Sequence, residues 1–465
     1  MSSGTQVSAA EGSQTRLWVW WPVALTSILS LTVYLLTMAP SLTWAHWGSD
    51  GGDLVAAAVT GRVPHPPGFP VYHWVSRLAV LAPGDPARVL NVLSGVMAAA
   101  AAALVSATAL RRGVSSWAAA AGGLTVAFAP WMWSQAVITE VYTTAALLAS
   151  LTLLLIEMAR SGSGRGWTWV GLCLGLATSV HPTTGLLALV AVVGTGVAWA
   201  WFVPGLAAGL LPYALLPLSG PWPQPWGDLR SLAGWLEFVS GRLYWGNAFG
   251  LPVRYLPARA LAGLVEAVRQ FTPAGAVLVG WGLLRAWRAG RMRALGGLVA
   301  LIGGLVYAVG YDSGDSWVYL VAYLPVAALL LADGVDGLGD AGVPRVLGLL
   351  VPVALLVLNW RRMDLRADRE AIAWLTQVAD QVPAESLVVT EADRHTFALW
   401  YAGARSQDHL ALEIVDRRLW GYGPYSEHLM GGEADGEPFG EIYRPAQGRQ
   451  VCEVDSEGGI DCSER

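Results

Sequence analysis

Lysine is absent from this chain: all 29 basic residues are arginine, and against 34 acids they leave a formal net charge of −5. Without a basic field, nucleic-acid binding has no electrostatic support. Charged residues of either sign fill only 14% of the 465 positions, against roughly a quarter in a soluble chain. There are three cysteines, and neither a zinc-ligand spacing nor a redox pair can be drawn from them. What fills the sequence instead is apolar: 54% hydrophobic residues, 24 tryptophans and a mean hydropathy of +0.46. Such a chain is an integral membrane protein. Its arginine-only, alanine- and glycine-rich composition fits a GC-rich bacterial genome.

The few charges are unevenly spread. Residues 1–360 carry 14 acids and 18 arginines, whereas 361–465 carry 20 acids and 11 arginines. The expected division is a disordered cytoplasmic tail over 1–16, an all-α transmembrane body over 17–360, and an acidic, water-exposed α/β domain over 361–465. The first apolar run lacks a convincing cleavage site and reads as a first span. Spans are expected near 17–37, 89–110, 113–130, 135–156, 166–180, 183–202, 204–218, 267–284, 294–311, 316–332 and 344–360, about eleven in all. No Asp, Glu or Arg occurs between Arg165 and Asp228, so that run must double back, with turns expected near His181-Pro182 and Pro204. The alanines from Ala98 to Ala103 allow close helix approach.

Arginine sets the orientation. Arg111/Arg112, Arg160/Arg165 and the cluster Arg285, Arg288, Arg291 and Arg293 occupy three turns that share a side with Arg16. With that side cytoplasmic, the protein is a multi-pass protein of the bacterial inner membrane with its N-terminus inside. The outer face then receives the 38–88 and 219–266 loops, the 312–315 turn and the C-terminal domain. In that domain a helix is expected over 366–382, a strand over 387–390, a helix over 393–402 and a strand over 412–415. Cys452 and Cys462 can form a disulfide in that compartment, while Cys173 reads as a small apolar filler.

Most of the polar residues with chemical interest fall on the outer side. Asp50 and Asp53 stand three residues apart in Gly48-Ser49-Asp50-Gly51-Gly52-Asp53-Leu54 and can point into one cavity; the plainer role for Asp53 is a helix N-cap. His65-Pro66-Pro67-Gly68-Phe69-Pro70-Val71-Tyr72 is a proline-stiffened turn that closes a loop or holds His65 against an anionic group. Arg88 and Asn91 follow at the start of the second span. Glu140 is expected a turn inside the fourth span, where an ionisable group is a functional candidate or the partner of Arg62, Arg77 or Arg88. His181 sits at an outer turn and suits a structural role. Asp312 and Asp315 form a second acidic turn, or an ordinary solvated one. The 219–257 loop mixes Trp222, Trp226, Trp235, Tyr244 and Trp245 with Arg230, Arg242 and Arg254, a composition for an interfacial belt or for a lipid phosphate or sugar.

The series Ala39-Pro40-Ser41, Asp50-Gly51-Gly52-Asp53-Leu54, His65-Pro66-Pro67-Gly68-Phe69-Pro70, Arg88 to Asn91 and Thr139-Glu140-Val141-Tyr142 resembles a large bacterial membrane family. That family includes the animal transmembrane protein 260 O-mannosyltransferases and looks like a branch of the GT-C glycosyltransferases. The resemblance runs over 30–185 and more loosely to about 330. Asp50 matches the family's leading acid, and Asp53 stands where the family usually has Glu.

The resemblance implies a GT-C-like enzyme that moves a sugar, mannose among the candidates, from a polyprenyl-phosphate donor. The acceptor is an extracytoplasmic hydroxyl on protein, glycan or lipid, and the displacement is inverting. Asp50, with Asp53 and Glu140, would carry the catalysis. His65, Tyr72, Arg88, Asn91, His181 and Arg242 would hold the donor phosphate or substrate. No metal-ligand set is indicated. The expected partners are membrane lipids, the lipid-linked donor and an acceptor. Two other classes fit the composition: a transporter or flippase for a lipid-linked sugar, which needs carboxylates along a path through the bilayer, and a non-catalytic scaffold presenting the acidic domain.

Overall fold

A computed structural model describes residues 20–162, 164–194, 196–220, 224–405, 412–429 and 449–463. The tail expected at 1–16 and Trp222 lie outside these residues. Among them, six helices are long and apolar enough to cross a membrane: Pro86–Arg111, Tyr142–Arg160, Trp199–Leu218, Arg291–Gly310, Ser316–Asp340 and Arg345–Met363. Shorter apolar helices stand between them at Trp21–Thr37, Ser116–Phe128, Gly166–Val180 and Pro182–Val193, and Thr272–Ala289 adds one with Arg288 in its last turn. Each expected span is occupied, although only six helices meet the length and composition for crossing alone. The chain is a multi-pass, mostly helical membrane protein.

Two expected boundaries move, each for a packing reason. The chain reverses at 196–198, and Pro204 lies inside the helix Trp199–Leu210. That helix continues because Gly205 and Gly209 must meet Gly171 and Gly175 of Gly166–Val180. A Cβ at Gly171 would overlap Phe202 O, and one at Gly209 would overlap Leu172 O. Two facing Gly-x-x-x-Gly ridges thus bring the backbones together, and a proline is tolerated in a membrane helix when neighbours compensate it.

The second change concerns the fourth span, which is broken. Pro130–Ala136 ends, the chain runs irregularly through 137–141, and Tyr142–Arg160 begins. Glu140 therefore lies in the break before the span, not a turn inside it. The freed backbone groups find partners there: Val137 O accepts from Ala39 N at 3.0 Å and Glu140 N donates to Ser94 Oγ at 3.4 Å.

The loop between the first two spans holds two short helices, Gly51–Thr60 and Pro70–Ala79. The C-terminal part has helices Glu370–Gln381 and Asp393–Arg405 and a sheet of β1 (Leu387–Thr390), β2 (Glu413–Asp416), β3 (Val451–Val454) and β4 (Ile460–Ser463) in the order β2-β1-β3-β4. β1 is parallel to β2 and β3, and β4 is antiparallel to β3. The last two strands were not expected from the sequence. Cys452 and Cys462 face each other across β3 and β4 and form a disulfide. Asp393–Arg405 packs along Gly51–Thr60, so closely that a Cβ at Gly52 would overlap Phe397 O. The C-terminal unit is thereby seated on the helix that carries Asp53.

Candidate active site

The acidic loop is bound to its own turn. Asp53 lies in the first turn of Gly51–Thr60, yet its carboxylate caps no helix: Oδ2 accepts the His65 backbone N–H at 2.8 Å and faces His65 Nδ1 at 2.8 Å. The other ring nitrogen, Nε2, faces Asp50 Oδ2 at 3.6 Å. His65 thus sits between the two acids, and Asp50, at the N-cap position without a capping bond, accepts from Ser49 Oγ at 3.4 Å. The proline turn holds the imidazole in place, with Phe69 edge-on at 4.9 Å and Phe397 stacked at 6.1 Å.

Asp50 opens onto a cavity of about 550 Å3 between one end of the helices and the C-terminal unit. Tyr142, His181, Tyr311 and Tyr319 form its helical wall, the 240–248 loop with Tyr244 and Trp245 another, and Asp315 its far rim. His181 stacks on Phe69 and lies 5.0 Å from Tyr319, with Nδ1 bonded to Thr183 Oγ1 at 2.7 Å. Arg259 fixes the Asp315 turn from behind through Tyr311 O at 3.0 Å and Ser316 Oγ at 2.6 Å. The C-terminal unit adds Asp393, Phe397 and Arg418, with Arg418 paired to Asp393. Sequence reasoning missed these three; only docking of Asp393–Arg405 onto the loop helix brings them in.

Several expected residues lie elsewhere. Arg88 donates to Ala39 O at 3.0 Å, Asn91 to Ala39 O and Ser41 O at 3.0 and 3.1 Å, and Thr139 to Asn91 Oδ1 at 2.7 Å. These residues pin the start of the loop, with the Arg88 and Asn91 donors spent on backbone carbonyls. Arg242 points to solvent, 4.0 Å from Glu237, and Asp312 is exposed outside the cavity. Tyr72 is buried behind the wall with an unpartnered hydroxyl. Among the described residues, no ion pair joins Glu140 to Arg62, Arg77 or Arg88; Glu140 is buried, and its Oε2 accepts from Val141 N at 3.3 Å. No group of three or more His, Cys, Asp or Glu among the described residues is arranged to hold a metal ion.

The charges shape one another. Burial pushes the Asp50 carboxyl up to about 6, with His65 pulling it down and Asp315, Asp393 and Asp53 adding to the rise. Burial works against a charged His65, but Asp50 and the Asp53 hydrogen bond outweigh it and push the imidazole up to about 9. Burial and the Asp50 charge hold the Glu140 carboxyl well above the ordinary range. At neutral pH the site therefore presents an ionised Asp50 with an imidazolium behind it. A carboxylate with a pKa near the working pH, set in an aromatic cleft open to water on one side, is suited to take a proton from a bound hydroxyl.

This fold recurs in solved structures. ArnT from Cupriavidus metallidurans in the apo state matches with a TM-score of 0.56 at 15% identity, over 97% of this chain and 94% of that one. The same protein bound to undecaprenyl phosphate matches at 0.53 and 15%, over 90% and 95%. An oligosaccharyltransferase of Archaeoglobus fulgidus, in complex with Zn and sulfate, matches at 0.52 and 13%, over 85% and 62%. Residues 50–199 match the protein O-mannosyl-transferase TMEM260 N-terminal domain. The chain is also 29% identical over 234 residues to the protein O-mannosyl-transferase TMEM260 of Mus musculus, across 44% of this chain and 31% of that relative. The resemblance drawn from the acidic loop motif is borne out, and the chain spans about a third of the curated relative it matches.

Proposed function

We propose that this protein is a membrane glycosyltransferase that moves a sugar, mannose by its relatives, from a polyprenyl-phosphate donor to an acceptor hydroxyl at the outer face. The observation that carries the reading is Asp50, set at 3.6 Å from a His65 that Asp53 holds, at the mouth of a cavity walled by aromatics. The match to a protein O-mannosyl-transferase and a like-folded protein bound to undecaprenyl phosphate support the donor class. A lipid donor stays in the bilayer while an acceptor arrives from water, and a cavity where helix ends meet a water-exposed unit serves both.

In this reading Asp50 takes the proton of the acceptor hydroxyl, and the oxygen attacks the anomeric carbon from the face opposite the phosphate. The bond from that carbon to the phosphate oxygen breaks, the electron pair leaves with the phosphate, and the anomeric configuration inverts. Charge that develops on the leaving phosphate needs cations. Arg418, paired to Asp393, lines the cavity and the imidazolium of His65 lies beside it, whereas Arg88 is spent on backbone and Arg242 points to solvent. Asp53 is a positioning residue that acts through His65, and the buried Glu140 supports the acidic pair. The arginine-rich turns lie on the cytoplasmic side of a bacterial inner membrane, with the cavity and the acidic 361–465 domain outside.

The test is transfer by the purified chain in lipid nanodiscs, with polyprenyl-phosphate mannose and a panel of hydroxyl-bearing peptides and glycans. Label moving to an acceptor with inversion supports the reading. Tight binding of the donor without turnover across the panel, together with its passage across sealed vesicles, would instead support a lipid-linked sugar transporter.

A further inference from the structure

A second cavity, of about 720 Å3, lies between helices at the end of the bundle far from Asp50. Tyr142–Arg160 links the two: Tyr142 lines the acidic cavity, and Arg160, at the other end of the helix, lines this one. That length of helix separates them by about 27 Å. The second cavity draws Arg111 and Arg112 from one turn, Arg285 and Arg288 from the end of Thr272–Ala289, and Arg293 from the next helix.

Its acids are already matched. Glu157 takes Arg112 at 3.0 Å and Arg160 at 2.8 Å, Asp333 takes Arg112 at 3.5 Å, and Asp336 takes Arg345 at 3.1 Å. Three arginines are left with no carboxylate partner among the described residues. Arg111 reaches only Ser161 Oγ at 2.9 Å, Arg288 lies over the Trp281 ring at 5.9 Å, and Arg293 has no ion pair. In the same wall the Nε of Arg160 is buried without a hydrogen-bond partner. An excess of guanidinium groups around a cavity of this size is a receptor for an anion with several oxygens, because each planar fork matches phosphate. Trp281, Trp287 and Met292 beside it are exposed, an apolar rim for a site reached from lipid.

We propose that this cavity binds a phosphate-bearing anion, supplied by anionic phospholipid headgroups of the leaflet opposite the acidic cavity. The site stands on these residues alone and does not depend on the transferase reading. A basic pocket between membrane helices offers such a headgroup several cations, where a single surface arginine offers one.

The test uses the full-length chain in nanodiscs of phosphatidylglycerol mixed equally with phosphatidylcholine, with native mass spectrometry counting the lipid that stays bound. The wild type should retain phosphatidylglycerol in preference. The R288A/R293A variant should bind it about thirtyfold more weakly, the loss expected of two arginines near an anionic headgroup, while R288K/R293K keeps much of it. Both arginines are exposed and unpaired, so the thermal midpoint should hold; if the double variant does not fold, each single variant gives the same readout. Displacement of phosphatidylglycerol by millimolar inorganic phosphate would keep the anion site and overturn its lipid source. Equal retention of the two lipids by the wild type, or unchanged retention by a folded alanine variant, would overturn the proposal.

Discussion

Asp53→Asn removes one of the two charges that hold His65 as an imidazolium. The amide oxygen can still accept the His65 backbone N–H now bonded at 2.8 Å, so the loop should keep its path. The imidazole stands at about 9 instead of 6.5, a difference of about 3 kcal/mol in favour of the protonated ring. With Asp50 left alone at 3.6 Å, roughly half of that should go, and His65 should titrate near about 7.5. The sign follows from a folded pKa above the unfolded one: the stabilisation is fully present below 6.5 and is lost as pH rises through 9. Thermal unfolding followed by tryptophan fluorescence, from about pH 5.5 to about 9.5, measures it. Wild type should exceed the variant by about 1–2 kcal/mol at the acidic end, and the gap should close by the alkaline end. A gap that stays constant with pH would mean a neutral His65 and an Asp53 that contributes only a hydrogen bond, and the charge reasoning would fail.

Arg418→Ala should weaken binding of polyprenyl phosphate by about tenfold to a hundredfold, the worth of a charge-assisted hydrogen bond, in a titration with the lipid in detergent; Arg242→Ala should leave it unchanged. Gly175→Leu forces a side chain into the Leu206 backbone and should cost about 1–3 kcal/mol or more, read as a lowered thermal midpoint. An unchanged midpoint would mean that Gly166–Val180 and Trp199–Leu210 do not meet through their glycines. A periplasm-dependent reporter fused after Arg465 should be active, and a cytoplasm-dependent one at Gly290 should be active as well; the reverse pattern inverts the topology.

The membrane body and the acidic loop were legible because each leaves a local trace. Apolar runs mark helices by length, and Asp50, Asp53 and His65 lie within sixteen residues of one another, so their meeting needs only one loop. Arg88 and Asn91 were legible as neighbours of that loop but not in their role. Nothing local says that their donors go to Ala39 O and Ser41 O instead of a ligand. Asp393, Phe397 and Arg418 lie more than 300 residues from Asp50, and only Gly52, the gap through which Phe397 approaches, records their docking in the outer loop. The Pro204 turn fails for a similar reason: a local breaker is outvoted by a glycine ridge whose partner ridge lies on Gly166–Val180. The apolar flanks of Glu140 predict a position inside a span, while the break that houses it is stabilised by Ala39 and Ser94 from other segments.

The most direct measurement compares Asp50→Asn with wild type for single-turnover transfer of mannose from polyprenyl-phosphate mannose in nanodiscs, as a function of pH. The substitution keeps the size of the side chain and removes its basicity. Wild-type transfer should rise through pH about 6, where Asp50 ionises, and fall above about 9, where His65 loses its proton. Asp50→Asn should bind the donor as wild type does and lose transfer by at least about a hundredfold at every pH. Transfer by Asp50→Asn at the wild-type rate would contradict the assignment of Asp50 as the base.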